Sequence, residues 1–324
     1  MWKNGGMKVL ITGATGLVGQ AIVKVLHEKE IAVNYLTTQK RKIVQSETYN
    51  GFYWNPSKGK IDSACFKGVD AIINLAGTSI AKRWTPIHKK KILSSRINSL
   101  QTLYNALEKE DTSTIELLIS ASAIGIYPNS LSQFYNEQES KVDNSFVGEV
   151  AQKWEAKADT FKNLGIEVSK VRIGIVLSTQ GGALPQMAKP VKKYAGAPVG
   201  SGDQWQSWVH IDDLAQMFVF ILENNLNGVY NGVAPNPVTN AKMTKELARA
   251  LDYPLWLPNV PKVLLKMLLG EMSYLLLASH RVSSKKMENE GFDFQYPNIC
   301  LALQDLYSEK NSKASLDPVS EELV

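Results

Sequence analysis

The sequence predicts an α/β fold, a doubly wound parallel sheet with a smaller, mainly helical C-terminal lobe. Three observations carry that expectation. Short apolar runs alternate with amphipathic stretches from residue 8 to residue 178, the pattern of βαβ units. The first apolar run passes straight into three glycines, Gly13, Gly16 and Gly19, spaced three apart. From about residue 180 the rhythm breaks in the Gly- and Pro-rich stretch "GGALPQMAKPVKKYAGAPVGSG", and a helical C-terminal part follows.

The elements follow in order. "KVLIT" (8–12) is a short apolar strand, and Leu17, Val18, Ala21, Ile22, Val25 and Leu26 mark one face of the helix behind it. "IAVNYLTT" (31–38) is a second strand, and "GVDAIINLAG" (68–77) is a buried one that ends in Gly77. Leu93, Ile97, Leu100, Tyr104 and Leu107 recur by four and three, which predicts a helix. "IELLISASAIGIY" (115–127) and "EVSKVRIGIVLS" (167–178) are each expected as one strand. Between them "GEVAQKWEAKADTFKNLG" (148–165) is a helix stopped by Gly165. In the stretch 260–279, Leu264, Leu265, Leu268, Leu269, Met272, Leu275 and Leu276 stand at helical spacing. Lys262, Lys266 and Glu271 interrupt it, so an amphipathic helix packed on the main domain is expected, not a membrane span.

Composition narrows the function classes. A chain of 324 residues holds one large α/β domain plus a lobe. The net charge of +5 is mild, and basic clusters such as Lys40–Lys42 and Lys89–Lys91 are scattered, which speaks against nucleic acid as a partner. Cys65 and Cys300 form neither a disulfide framework nor a metal pattern and suit a reducing, cytoplasmic location. His27, His88 and His280 are scattered and suggest no metal site. "MWKNGG" lacks the apolar core of a signal peptide.

Each glycine has a physical reason. Gly13 allows the tight turn out of the strand, Gly16 lets the backbone approach a pyrophosphate, and Gly19 lets the helix pack closely on the sheet. The helix N-terminus then offers free N–H groups and a positive dipole end to the phosphates. The end of the second strand refines the cofactor. An acid that would take the ribose hydroxyls of NAD is missing, and Thr37 and Thr38 run into Lys40, Arg41 and Lys42. Hydroxyls and cations suit a 2′-phosphate, so NADP(H) is favoured. The basic cluster taken alone fits a solvated loop equally well; the missing acid is the firmer half of the argument.

With these pieces in place, "TGATGLVG", "INLAG", "SRINSLQTLYNAL", "ISASAIGIY", "VRIGIVL" and "WVHIDDLA" resemble the extended short-chain dehydrogenase/reductase superfamily. "SASAIGIY", "KWE", "GGAL", "GSGDQWQSWVHIDDL", "GVYNGVAPNPVTN" and "LLGEMSYLLLASHRVSSKKMENEGFDFQYP" narrow the resemblance to an atypical, NAD(P)-dependent epimerase-like subfamily with its own C-terminal domain. The resemblance implies a Rossmann-type domain over 7–180, a mixed region of substrate loops and returning elements over 181–254, and a helical lobe over 255–310. Residues 1–6 and 311–324 are expected to be disordered. It also implies the cofactor contacts: Gly13, Thr15, Gly16, Leu17 and Val18 at the phosphates, Thr37 and Thr38 at the adenosine 2′ position, and Leu75, Ala76 and Gly77 on the ribose side. Arg96, with Lys91 nearby, would reach phosphate or ribose, and Val176 would lie near the nicotinamide. Read as residues alone, the apolar positions fit core packing, and Arg96 fits an exposed helix charge.

The resemblance breaks at the chemistry. In the superfamily a Tyr acts as acid/base, and a Lys four residues on, on the same helix face, lowers its pKa. None of the twelve tyrosines here has Lys at that spacing; Val147 and Ala151 stand where the pair would be. The catalytic residues are therefore unknown. Tyr127, Ser122, His210 and Asp212 are possible substitutes, although Tyr127 also fits a packed aromatic and Asp212 a helix cap. Trp205 and Trp208 fit a substrate wall and plain core equally.

Two functions remain. One is an NADP(H)-dependent oxidoreductase or epimerase with a non-standard site, acting on a small-molecule carbonyl, alcohol or nucleotide-sugar-like substrate. The other is a dinucleotide-binding sensor or scaffold without turnover. No membrane partner is expected, and nothing in the sequence supports a particular oligomer.

Overall fold

The computed structural model describes residues 6–110 and 113–308. The segments expected to be disordered lie outside the described residues, apart from Gly6.

β1 (Lys8–Thr12) is apolar on both faces because both are covered: Val9, Leu10 and Ile11 are fully buried. It turns through Gly13 into α1 (Leu17–Glu28). β2 (Ala32–Thr37) runs parallel to β1, with Thr12 opposite Leu36. β3 (Tyr49–Asn55) continues parallel, and the short β4 (Lys60–Ile61) closes that edge antiparallel. On the other side of β1 lies β5 (Ala71–Asn74), with Thr12 opposite Asn74. α2 (Pro86–Leu107) is started by Thr85, whose hydroxyl accepts from the His88 N–H, and by Pro86, whose ring fixes a helical φ.

β6 (Leu117–Ala123), β7 (Phe134–Tyr135) and α3 (Phe146–Asp159) follow; Ser145 caps α3 by accepting from the Gly148 N–H. β8 (Glu167–Ile173) rejoins the sheet, β9 (Ile175–Leu177) leaves it, and α4 (Ala183–Val191) comes next. β10 (Trp205–Gln206), β11 (Trp208–His210), α5 (Ile211–Glu223) and β12 (Gly228–Gly232) return the chain to the sheet. β13 (Val238–Thr239), α6 (Asn240–Leu251), α7 (Lys262–Leu269), α8 (Tyr274–Leu277), β14 (Arg281–Val282), α9 (Lys285–Asn289) and α10 (Ile299–Tyr307) complete it. The large sheet runs β12-β8-β6-β5-β1-β2-β3-β4. The order reverses between β1 and β5, which opens a crevice at their carboxyl ends.

Four local readings need correction. The strand expected over 115–127 stops at Ala123, and Ile124–Ile126 form a 3₁₀ turn. The strand expected over 167–178 breaks at Gly174, where a Cβ would lie 2.4 Å from the Ser207 carbonyl oxygen. β9 turns there to pair with β11. The Gly/Pro stretch contains α4: Pro185 falls in its first turn, where no intrahelical N–H partner is lost, and Pro190 falls in its last turn, where the helix ends one residue later. Finally, 260–279 is not one packed helix. Gly270, at φ +59°, ends α7 in a backbone region that favours glycine. Only Leu265 of α7 is buried, and Met267 is 74% exposed.

Two cores result. The first lies on the large sheet and includes Met287, Phe292 and Phe294. The second joins Leu177, Leu184, Trp208 and Leu247 to Ile299, Leu303 and Leu306 of α10. Trp208 is thus core, fully buried, with its indole nitrogen donating to the Asn236 carbonyl.

The close approach of α1 to the end of β1 is the tightest feature of this layer. A Cβ on Gly19 would stand 2.3 Å from the Gly13 carbonyl oxygen and 2.7 Å from the Ala14 Cα. Neither neighbour is a flexible side-chain end. We expect Gly19→Ala to cost about 1–3 kcal/mol through overpacking, read by urea denaturation; an unchanged midpoint would mean that α1 sits further from the strand.

Candidate cofactor and substrate site

The phosphate loop is set by a polar tie between strands. The Thr12 hydroxyl donates to Asn74 Oδ1 at 2.8 Å and accepts from the Leu75 and Ala76 N–H groups, each at 3.1 Å. Asn74 Nδ2 donates on to Ser120 Oγ at 3.2 Å. All three side chains are buried, so the carboxyl ends of β1 and β5 are held to each other and to the middle of β6. Gly13, at φ +76°, sits against this loop, and its Cβ would be 3.1 Å from the Leu75 carbonyl carbon. Gly16 starts α1 without any side-chain cap. Among the described residues, apart from its chain neighbours and the helix backbone, only the Gly13 carbonyl oxygen lies within 4 Å of its Cβ position, so space is left in front of the helix. Exposed Thr15 borders this space, and half-buried Val18 packs on the sheet core.

Arg96 of α2 reaches the same place. A Cβ on Gly77 would be 3.1 Å from its guanidinium carbon. The guanidinium donates to the Thr78 and Ile92 carbonyls at 3.2 and 3.0 Å and lies 4.9 Å from the Trp154 ring centroid. Among the described residues no carboxylate pairs with it. Burial alone lowers its pKa to about 10. The guanidinium thus lies against the 77–78 backbone, in the loop whose Leu75 and Ala76 pack on Gly13. Lys91 is exposed and, five residues earlier, lies roughly 140° round the helix from Arg96.

The other expected residues sit around this centre. Thr37 is buried, and its hydroxyl accepts from the Gln39 N–H at 3.2 Å. Thr38, Lys40, Arg41 and Lys42 are exposed at the carboxyl end of β2, with Lys40 Nζ 5.4 Å from the Tyr53 ring centroid. On the opposite side, Leu17 touches the 181–182 turn: a Cβ on Gly182 would be 3.3 Å from its methyl and 3.8 Å from the Val176 carbonyl oxygen. The structure thus brings Leu17 and Val176 together across the loop that precedes α4.

The substitute proton donors named from the sequence are tied up elsewhere. Ser122 Oγ donates to Glu155 Oε1 at 2.7 Å. Arg172 forks onto both Glu155 oxygens at 2.8 and 2.9 Å and donates to the Tyr127 hydroxyl at 3.0 Å. Tyr127 in turn donates to Asn231 Oδ1 at 2.8 Å. Burial, partly offset by Arg172, pushes the Tyr127 phenol up to about 12. This is a buried, fully engaged chain across β6, α3, β8 and β12. His210, not Asp212, caps α5: its Nδ1 accepts from the Asp212 N–H at 3.1 Å. That leaves the proton on Nε2, which points at Asp305 Oδ2 at 3.4 Å. The cluster of His210, Asp212 and Asp305 has metal-like spacing, but a protonated Nε2 cannot ligate.

Sequence reasoning missed Tyr274. It packs with Phe146, Trp84 and Met272 in the cluster of Val147, the position of the missing phenol. Its hydroxyl is buried without a well-formed hydrogen bond and faces Asp143 and Ser145. Burial, then Asp143, raise its pKa far above the ordinary phenol value. It lines a cleft of about 730 Å³ between α7–α8 and the N-terminal ends of α2 and α3. A phenol delivered by a distant segment leaves no spacing signature. Among the described residues, no helix is long and apolar enough to cross a membrane.

A Rossmann-type βαβ sheet with a glycine-rich turn at its switch point defines a nucleotide-binding protein of the short-chain dehydrogenase/reductase type. The comparisons agree. Residues 9–232 match the NAD dependent epimerase/dehydratase family, and residues 260–306 match a domain of unknown function, DUF1731. An epimerase family protein of Staphylococcus aureus strain MRSA252 is 37% identical over 303 residues, 93% of this chain and 99% of that protein. The crystal structure of human epimerase family protein SDR39U1 with NADPH superposes with a TM-score of 0.80 at 27% identity, covering 94% of this chain and 100% of that one. A nucleoside-diphosphate sugar epimerase from Corynebacterium glutamicum gives 0.74 at 27% identity, covering 96% of this chain and 61% of that one. The chain belongs to the NAD dependent epimerase/dehydratase family, in the atypical branch that carries its own C-terminal domain.

The buried chain through Tyr127 predicts a structural role. Tyr127→Phe leaves Asn231 Oδ1 and one Arg172 N–H unpaired and should cost about 1–3 kcal/mol. Glu155→Gln, which leaves a buried guanidinium without its carboxylate, should cost about 3–5 kcal/mol. Neither should alter dinucleotide affinity. Denaturation and cofactor titration of both variants check this; loss of turnover with full stability in Tyr127→Phe would make that phenol chemical instead.

Proposed function

We propose that the protein binds NADP(H) and acts as an oxidoreductase or epimerase on a small carbonyl or alcohol, with an unconventional proton donor. The observation that carries the reading is the pairing of an open, uncapped α1 N-terminus at Gly16 with the unpaired Arg96 guanidinium. Both supply donors where a pyrophosphate would lie. In this reading Gly13, Thr15, Gly16, Leu17 and Val18 hold the phosphates. Leu75, Ala76, Gly77 and Arg96 flank the adjoining ribose and phosphates, and Val176 faces the nicotinamide. Thr37 and Thr38 with Lys40, Arg41 and Lys42 receive the 2′-phosphate, and the NADPH of the human relative supports that choice. Residues 7–180 carry the cofactor, and the 181–254 and 255–310 regions shape the substrate side. Two unpaired cysteines favour a reducing, cytoplasmic setting.

A bound nicotinamide would supply the hydride. Tyr274 is the candidate for the proton: a phenol held protonated can still neutralise an alkoxide, which is far more basic. It is a poor base for the reverse step, which fits the absence of the usual Lys partner. A second reading, a binding protein without turnover, is favoured by Val147 and Ala151 at the usual pair positions and by the engagement of Tyr127 and Ser122.

Cofactor choice is directly measurable. Charge-assisted hydrogen bonds contribute about 1.5–3 kcal/mol at best. Solvent exposure reduces this, so NADPH should bind roughly tenfold to a hundredfold more tightly than NADH, or about 1.4–2.8 kcal/mol. Thr38→Asp should narrow or reverse the preference, and Gly16→Val should abolish binding of both. Equal affinities in a titration would place the basic cluster in solvent.

Turnover separates the two readings. Generic alcohols and carbonyls should give little activity with either cofactor. With a cognate substrate, Tyr274→Phe should lower kcat by about 10²–10⁴-fold, the usual share of general acid catalysis, and leave NADPH affinity intact. Full activity in that variant would remove Tyr274 from the chemistry.

A further inference from the structure

The cleft under α7–α8 is the substrate side of the reading above, and its lining discriminates between substrates. Its walls include Trp84, Phe146 and Leu277. The Trp84 indole nitrogen already donates to the Ile80 carbonyl at 3.0 Å, so this side chain offers a ligand ring surface only. The Tyr274 hydroxyl faces Asp143 and Ser145, and most of the other polar side chains already have partners. Asn129 Oδ1 accepts from the Ser279 N–H at 2.8 Å, which leaves its amide N–H donors. Ser145 Oγ accepts from the Gly148 N–H at 3.3 Å and faces Asp143. Ser273 Oγ donates to the Gly270 carbonyl at 2.7 Å. Glu271, a carboxylate on the lining, is held by Lys89 at 2.6 Å. Lys89 Nζ also lies 4.8 Å from the Phe146 ring centroid.

What remains is dominated by donors. Lys262 and Lys266 are one turn apart on α7, both exposed, and both line the cleft. Among the described residues no carboxylate pairs with either. Like charges at this spacing repel. An anion between them would relieve the repulsion and could make charge-assisted hydrogen bonds with both. A sugar ring brings several hydroxyl donors and needs acceptors, of which the lining offers few: Asn129 Oδ1 and Ser145 Oγ already accept backbone N–H groups, and one Glu271 oxygen is held by Lys89. We propose that this cleft takes a small substrate with an acceptor-only anionic head, a carboxylate or a phosphate ester, on a flat apolar body, and not a nucleoside-diphosphate sugar. The head lies between Lys262 and Lys266, and the body lies against Trp84 and Phe146, beside the start of α3 where the chemistry would occur.

Calorimetric titration of the full chain tests this, with and without saturating NADPH. The probes are phenyl phosphate, phenylacetate, the neutral benzyl alcohol, and UDP-glucose. One or both of the anionic aromatics should bind at least about tenfold more tightly than benzyl alcohol, and which one binds identifies the head. Lys262→Gln with Lys266→Gln should erase that difference and leave NADPH affinity and thermal stability unchanged. Equal binding of benzyl alcohol, no binding of either anion, or anion binding that survives the double substitution would overturn the proposal. So would UDP-glucose binding more tightly than both anions. A chain that takes the anions through the lysine pair but no NADPH would overturn the cofactor reading and leave this one standing.

Discussion

The arrangement at the cofactor end depends on how closely the first turn of α1 approaches the carboxyl end of β1. Gly19 lies against the Gly13 carbonyl with no room for a single methyl group. That contact holds the helix axis over the turn and points its uncapped N-terminus at open space. The buried tie from Thr12 through Asn74 to Ser120 then fixes the neighbouring strand ends, so the 75–77 loop and Arg96 stand beside the same space. A looser helix would leave the N–H groups of α1 and the Arg96 guanidinium without a common focus.

The place of the usual acid/base pair has been put to another use. Val147 and Ala151 are apolar and buried, and one turn further on the same buried face stands Glu155, locked to Arg172. That ion pair continues through Tyr127 to Asn231 and stitches β6, α3, β8 and β12 into one layer. A helix that normally carries chemistry here carries cohesion. A phenol in the cluster of Val147 comes from α8, on the segment matched by the C-terminal domain.

Much of the sheet and the phosphate loop was legible because the signals are local. Apolar runs, the spacing of Gly13, Gly16 and Gly19, and the missing acid after β2 each sit within a few residues. What failed depended partly on partners far along the chain and partly on competing local signals. Gly174 breaks a strand because the Ser207 carbonyl lies against it, 33 residues later. Gly270 ends α7 at a positive φ, a stop that the leucine spacing on both sides of it masks. Asp212 had the right residue type for a cap, yet the His210 ring two positions earlier takes the role. Trp84, Phe146, Lys262 and Tyr274 meet in one cleft although nearly 200 residues separate the ends of that set, and no periodicity reports such a meeting.

The two cores share a dependence on the C-terminal part of the chain. Phe292 and Phe294 close the first core, and Ile299, Leu303 and Leu306 close the second. During synthesis these residues leave the ribosome after nearly all of the strands they cover. Until they emerge, Phe220 lacks its Phe292 partner, and α6 lacks α10. Until then the nascent chain carries two incomplete apolar surfaces, and the loop bearing Phe292 and Phe294 closes the first as α10 closes the second.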